Sequence, residues 1–76
     1  ETVDDQNRRA AHDQLSDREL QVLQRIASGR TVSEIAEEIS LSVNTISTYR
    51  TRILEKLSLQ TNAEITRYAL DNRLVD

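Results

Sequence analysis

Four short hydrogen-bonding side chains, Asn44, Ser47, Thr48 and Thr51, recur at steps of three, one and three residues. At about 100° per residue they share one face of a helix, with Glu55 at the far end of the same stripe. Such side chains suit base edges: Asn can pair with adenine, and Ser or Thr can serve either partner or offer a methyl to thymine. Arg52 and Lys56 fall on one flank of the stripe and Arg50 on the other. A polar edge with a cation on each side is what a helix in a major groove needs, because phosphate ridges stand on both sides of it. Any amphipathic helix also has a polar face, and a merely solvated one carries the same pattern. Propensity separates the two readings: Asn44, Thr45, Ser47, Thr48 and Thr51 are poor helix formers where Ala, Glu or Lys would serve stability better. That favours contact, whereas Glu55 would repel phosphate and works against it.

The helix that must carry this stripe is set by its other face. Ile46, Tyr49, Ile53 and Leu57 follow at steps of 3, 4 and 4, and Ser42 supplies a cap, so the spacing predicts a helix over Val43 to Leu57. Upstream, Ser16 and Glu19 form a capping box, with Leu15 and Leu20 placed as a hydrophobic staple. The helix it opens should run from Asp17 to Ser28 on Leu20, Leu23, Ile26 and Ala27, and Gly29 should stop it. Thr31 with Glu34 opens a short second helix that buries Ile35, Ala36 and Ile39. Thr61 with Glu64 opens a last one from Asn62 to Asn72. The link Ser40-Leu41-Ser42 is too short for the second and third helices to lie antiparallel, so they meet as an angled helix-turn-helix. The expected fold is all-α, a four-helix bundle containing a helix-turn-helix, with a core of Leu20, Leu23, Ile35, Ala36, Ile39, Ile46, Ile53 and Leu57.

Composition bounds what such a domain can be. Seventy-six residues with no Cys, no Trp, no Phe and one Gly make one small domain with an aliphatic core. Nothing approaches the ~20 apolar residues of a membrane span. Without Cys there is no disulfide framework or thiolate metal site, and one His cannot make a multi-histidine zinc site. No cofactor is implied. The formal charge of −3 argues against a polyanion partner, but residues 44–57 set Arg50, Arg52 and Lys56 against Glu55 alone, so a locally basic segment lies on an acidic chain. An enzyme is disfavoured, since no nucleophile is paired with a base and so few helical residues offer little concavity.

Residues 1–14 have no apolar period of 2 or 3.6 and are read as a flexible linker, and residues 15–76 as the folded domain. His12 has no second ligand or base near it in sequence and is read as a solvated linker histidine. Starting at Glu1, with no Met and no targeting segment, the chain reads as a piece of something longer. In the fourth helix Ile65, Tyr68 and Ala69 make one stripe, while Ala63 and Leu70 sit near the opposite side beside Thr66 and Arg67. Two readings of that patch stand: a self-association surface, or a patch covered by Leu74 and Val75.

The string LSDRELQVLQRIASG, then EIAEEISLSVNTISTYRTRILEKL, then TNAEITRYA closely resembles the LuxR-type helix-turn-helix DNA-binding domain of NarL/FixJ-like two-component response regulators. The resemblance spans Leu15 to Val75 without a gap and rests on Glu19, Gly29, Glu34-Ile35-Ala36, Ser42, Thr45-Ile46 and Lys56-Leu57. It implies base contacts by Asn44, Ser47, Thr48 and Thr51. Backbone contacts are implied for Thr31, Ser33, Thr45, Arg50, Arg52 and Lys56, and dimerisation through Ala63, Arg67 and Leu70. It also implies a cytoplasmic transcription regulator that binds double-stranded DNA as a homodimer, with an N-terminal receiver domain and RNA polymerase as further partners. The chain departs from the pattern at Val32 and Ser33, where many members have Asn-Lys, at Ser47 (Lys), at Tyr49 (His) and at Asn62 (Arg). At least two cations are therefore missing, which implies weak non-specific affinity. The competing reading is a small helical protein-interaction module, which the acidic total and the Ala63/Leu70 patch would suit.

Overall fold

The computed structural model describes residues 11–75, four α-helices preceded by a 3-10 turn at Ala11–Gln14. The helices are α1 (Asp17–Ala27), α2 (Val32–Glu38), α3 (Val43–Leu57) and α4 (Asn62–Asp71). No strand occurs among the described residues. All three expected capping boxes close. Ser16 Oγ accepts from the Glu19 amide at 3.2 Å while Glu19 Oε1 accepts from the Ser16 amide at 2.9 Å. Thr31 with Glu34 and Thr61 with Glu64 repeat the exchange at 2.8 to 3.1 Å. Each box satisfies two N–H groups that a helix start leaves without partners. Boundaries fall within a residue of expectation, with Ser28 and Asn72 acting as C-caps of α1 and α4 rather than their last helical residues.

All four helices end alike. Each terminates on a left-handed residue, Gly29, Ser40, Ser58 or Arg73. The amide of the following residue then reaches back across the last turn: Arg30 to Arg25 O, Leu41 to Ala36 O, Leu59 to Leu54 O and Leu74 to Ala69 O, at 2.8 to 3.0 Å. This 6→1 bond defines the Schellman motif. Gly29 alone was legible as such a stop, because the other three positions carry side chains that resist positive φ. In α2 the stop at Ser40 fixes the tight turn into α3.

The core is Val22, Leu23, Ile26, Ile35, Ala36, Ile46, Ile53, Leu57, Ile65 and Ala69. Leu20 and Ile39, expected inside it, are only half-buried at its margin, and Val22, not expected, is fully buried. Val22 is buried because α1 packs against all three other helices, so its buried stripe is wider than the seam read from Leu20, Leu23, Ile26 and Ala27, while Ile39 is the C-cap at the end of α2. α2 packs on α1 and α3, which fixes the angled helix-turn-helix.

The ordered chain begins before Leu15. Residues 11–14, read with the linker, form the 3-10 turn and pack against α3. His12 is not a solvated histidine: Tyr68 Oη accepts from its backbone N–H at 3.0 Å and lies 3.0 Å from its Nδ1. The two rings meet edge to face. A contact across 56 residues of sequence leaves no local signal. The reading of residues 1–10 as linker lies outside the described residues.

Candidate nucleic-acid interface

Ser42 starts α3. Its Oγ accepts from the Thr45 amide at 3.1 Å and pairs with Thr45 Oγ1 at 2.9 Å. From that start, buried Ile46, Ile53 and Leu57 and half-buried Tyr49 seat one face of the helix on α1 and α2. The opposite face is thereby forced into solvent. Asn44, Ser47, Thr48, Thr51 and Glu55 are all exposed on it, in the stripe the sequence places there. Two of the hydroxyls are oriented: Thr48 Oγ1 donates to Asn44 O at 3.0 Å and Thr51 Oγ1 donates to Ser47 O at 3.1 Å. Of the residues expected to meet a phosphate backbone, Ser33 is exposed in the first turn of α2 and Thr31 caps that helix. Thr45 is half-buried, its hydroxyl taken up by Ser42.

The three flanking cations differ. Arg52 is exposed and has no hydrogen bond or ion pair among the described residues. Arg50 donates from Nε to Asn62 Oδ1 at 2.5 Å, tying α3 to the first turn of α4. Lys56 Nζ lies 2.8 Å from Glu19 Oε1 and 3.2 Å from Gln14 O. Burial pushes the Glu19 carboxyl up, but the Lys56 ammonium and the Ser16 amide and hydroxyl together hold it below the usual range. Composition could not reveal these two attachments, since each joins residues far apart in the chain. Elsewhere Glu38 bridges Arg25 and Arg30, linking the end of α1 and the following loop to α2.

On α4, Ile65 and Ala69 are buried while Ala63, Arg67 and Leu70 stand exposed on another face. Leu70 keeps 50% of its surface. Leu74 and Val75 pack against the core, with Gln24 Nε2 donating to Leu74 O, and half of Leu70 stays in solvent. Val43, in the first turn of α3, is also exposed, a feature the sequence analysis did not single out. No cluster of three or more His, Asp or Glu among the described residues could hold a metal ion. No described helix is long and apolar enough to cross a membrane.

Residues 13–69 match the family described as bacterial regulatory proteins, luxR family. The chain belongs to that family. Its helix-turn-helix is therefore a DNA-binding domain of a regulator, not an enzyme. It is 44% identical over 62 residues to the oxygen regulatory protein NreC of Staphylococcus carnosus. It is 42% identical over the same length to the NreC proteins of Staphylococcus haemolyticus and Staphylococcus aureus. In each case the match covers 82% of this chain and 29% of the relative. Within the luxR-type domain, α2 and α3 form the helix-turn-helix, and the polar stripe of α3 is exposed.

Proposed function

We propose that this chain is the output domain of a transcriptional response regulator, which lays α3 in the major groove of double-stranded DNA and pairs two copies through α4. Base contacts come from Asn44, Ser47, Thr48 and Thr51. Backbone contacts come from Thr31, Ser33, Thr45, Arg50, Arg52 and Lys56, and the dimer contact from Ala63, Arg67 and Leu70. The observation that carries the reading is the α3 stripe: four short polar side chains held in solvent by a helix whose opposite face is locked into the core. The family match and the similarity to the NreC proteins support it. Because this chain spans less than a third of the relatives' length in the match, a receiver domain joined through residues 1–14 and a contact with RNA polymerase in the cytoplasm belong to the same proposal.

Phosphate contacts carry no sequence information and base contacts do, so the two classes fail differently. Arg52→Ala should weaken binding to all duplexes alike and flatten the dependence of log affinity on log salt by about one unit. Thr48→Ala should leave that slope unchanged and cost about 1–3 kcal/mol of discrimination at one base pair. Both variants are titrated against a preferred and a scrambled duplex at several salt concentrations. If both match the wild type, the groove reading is refuted and a protein-interaction module is favoured.

A further inference from the structure

The stripe on α3 is divided in its hydrogen-bonding polarity. A threonine hydroxyl has one hydrogen. In Thr48 that hydrogen goes to Asn44 O at 3.0 Å and in Thr51 to Ser47 O at 3.1 Å. What each then turns outward is oxygen lone pairs and a methyl group. Asn44 and Ser47 make no side-chain hydrogen bond among the described residues, so both keep donors and acceptors.

Base edges answer these two kinds of group differently. Guanine offers N7 and O6, both acceptors. Cytosine offers the N4 amino donor, adenine the N6 donor beside N7, and thymine its C5 methyl. An acceptor-only oxygen facing guanine meets lone pair with lone pair. Relief requires the hydroxyl to leave its helix carbonyl. No Arg or Lys, the usual partner of guanine, stands on the stripe between Asn44 and Thr51 except Arg50 on its flank.

We infer that Thr48 and Thr51 read the groove by acceptor and methyl only, so that the bases facing them are cytosine, adenine or thymine, and guanine is rejected. The inference rests on the groove placement of α3 proposed above and adds the chemical class of the bases it takes. Guanine, where the site holds it, is left to Asn44 and Ser47, whose donors are free.

The test selects duplexes from a random pool with the wild-type chain and with Thr48→Val, Thr51→Val, Thr48→Ser and Thr51→Ser. Valine keeps the shape and a methyl but removes the oxygen, and serine keeps the oxygen but removes the methyl. Both threonines are exposed, and thermal melting checks that each variant keeps its fold. The expected result is one base position moved by each pair of variants, with guanine there disfavoured about tenfold by the wild type. Valine should erase a preference for cytosine or adenine, and serine a preference for thymine. Where the moved position is a G·C pair, two base analogues separate the strands. Unchanged affinity with 7-deazaguanine, together with a loss when the cytosine lacks its N4 amino group that disappears in the valine variant, places the contact on cytosine N4 and supports the inference. Unchanged affinity with both analogues places it on guanine O6 and overturns it. A loss with 7-deazaguanine that disappears in the valine variant places it on guanine N7 and overturns the inference while leaving α3 in the groove. If no base position moves with any variant, the groove placement fails and the inference with it.

Discussion

Lys56 Nζ stands 2.8 Å from Oε1 of Glu19, and that carboxylate, though charged, keeps only 2% of its surface. The same oxygen accepts from the Ser16 amide to close the capping box of α1. One carboxylate therefore joins the start of α1 to the last turn of α3, and Lys56 extends the link to Gln14 O. Glu19 keeps the capping role the sequence assigns it, and its bond to Lys56 adds a second role to both residues.

Replacing Lys56 by Met keeps the aliphatic stem and leaves Glu19 buried without its cation. The expected cost is about 1–3 kcal/mol of unfolding free energy, measured by urea titration at neutral pH. Because the ammonium is already engaged, Lys56→Met should change the salt dependence of duplex binding less than Arg52→Ala does. A slope that flattens equally in both variants would show that Lys56 meets phosphate as fully as Arg52 in spite of its bond to Glu19.

The depressed Glu19 carboxyl ties stability to pH. A group whose folded pKa lies below its unfolded value, about 4.3 for Glu, contributes stability above that unfolded value and loses it as pH falls through the folded one. Glu38 acts in the same direction, held low by hydrogen bonds from Arg30 and Arg25. The urea midpoint should thus be level near neutrality and fall progressively in acid. In Glu19→Gln the neutral-pH stability drops and the acid decline becomes shallower. An unchanged decline in that variant would show that Glu19 does not drive it.

Three non-glycine helix stops hold positive φ: Ser40, Ser58 and Arg73. Ser58 lies at φ 58° immediately after the last turn of α3. Left-handed backbone costs an L-residue roughly 1–2 kcal/mol, and glycine gives part of that back to the entropy of the unfolded chain. Ser58→Gly should therefore stabilise the domain by about 0.5–1 kcal/mol. Gly29→Ala should destabilise it although nothing lies within 4 Å of the added Cβ, because φ +93° and not space is the obstacle. Chemical denaturation of the two variants gives opposite signs if backbone conformation decides.

What could be read in advance was local. Ser16/Glu19, Thr31/Glu34 and Thr61/Glu64 act across three residues, so their boxes and the helix starts they set were visible, as was the face of α3 fixed by Ile46, Ile53 and Leu57. Val22 was missed because a seam read from one helix does not know that three others surround it. His12 with Tyr68, Lys56 with Glu19 and Arg50 with Asn62 were missed because each is a meeting of distant segments, made possible only after the helices pack. The same packing separates Arg52, with no partner among the described residues, from two cations of identical charge that already have one.

On α4 the decisive residue is Leu70, half-exposed, with Ala63 and Arg67 on the same face. Arg67 lies 3.8 Å from Asp71 along the helix, both largely in solvent, where such a pair contributes little. A patch of this size falls far below the ~1,200 Å² that stable interfaces bury, so the chain alone should sediment as a monomer at micromolar concentration. On DNA with two half-sites the second copy binds at high effective concentration, and a weak contact then suffices to make binding paired. Leu70→Glu should leave the helix content by circular dichroism unchanged, since Ile65 and Ala69 keep the core face of α4. Binding to a single half-site should persist, while the two-at-a-time step on a two-fold site should separate into independent events in a gel-shift titration. Paired binding that survives Leu70→Glu would place the contact between copies on another face.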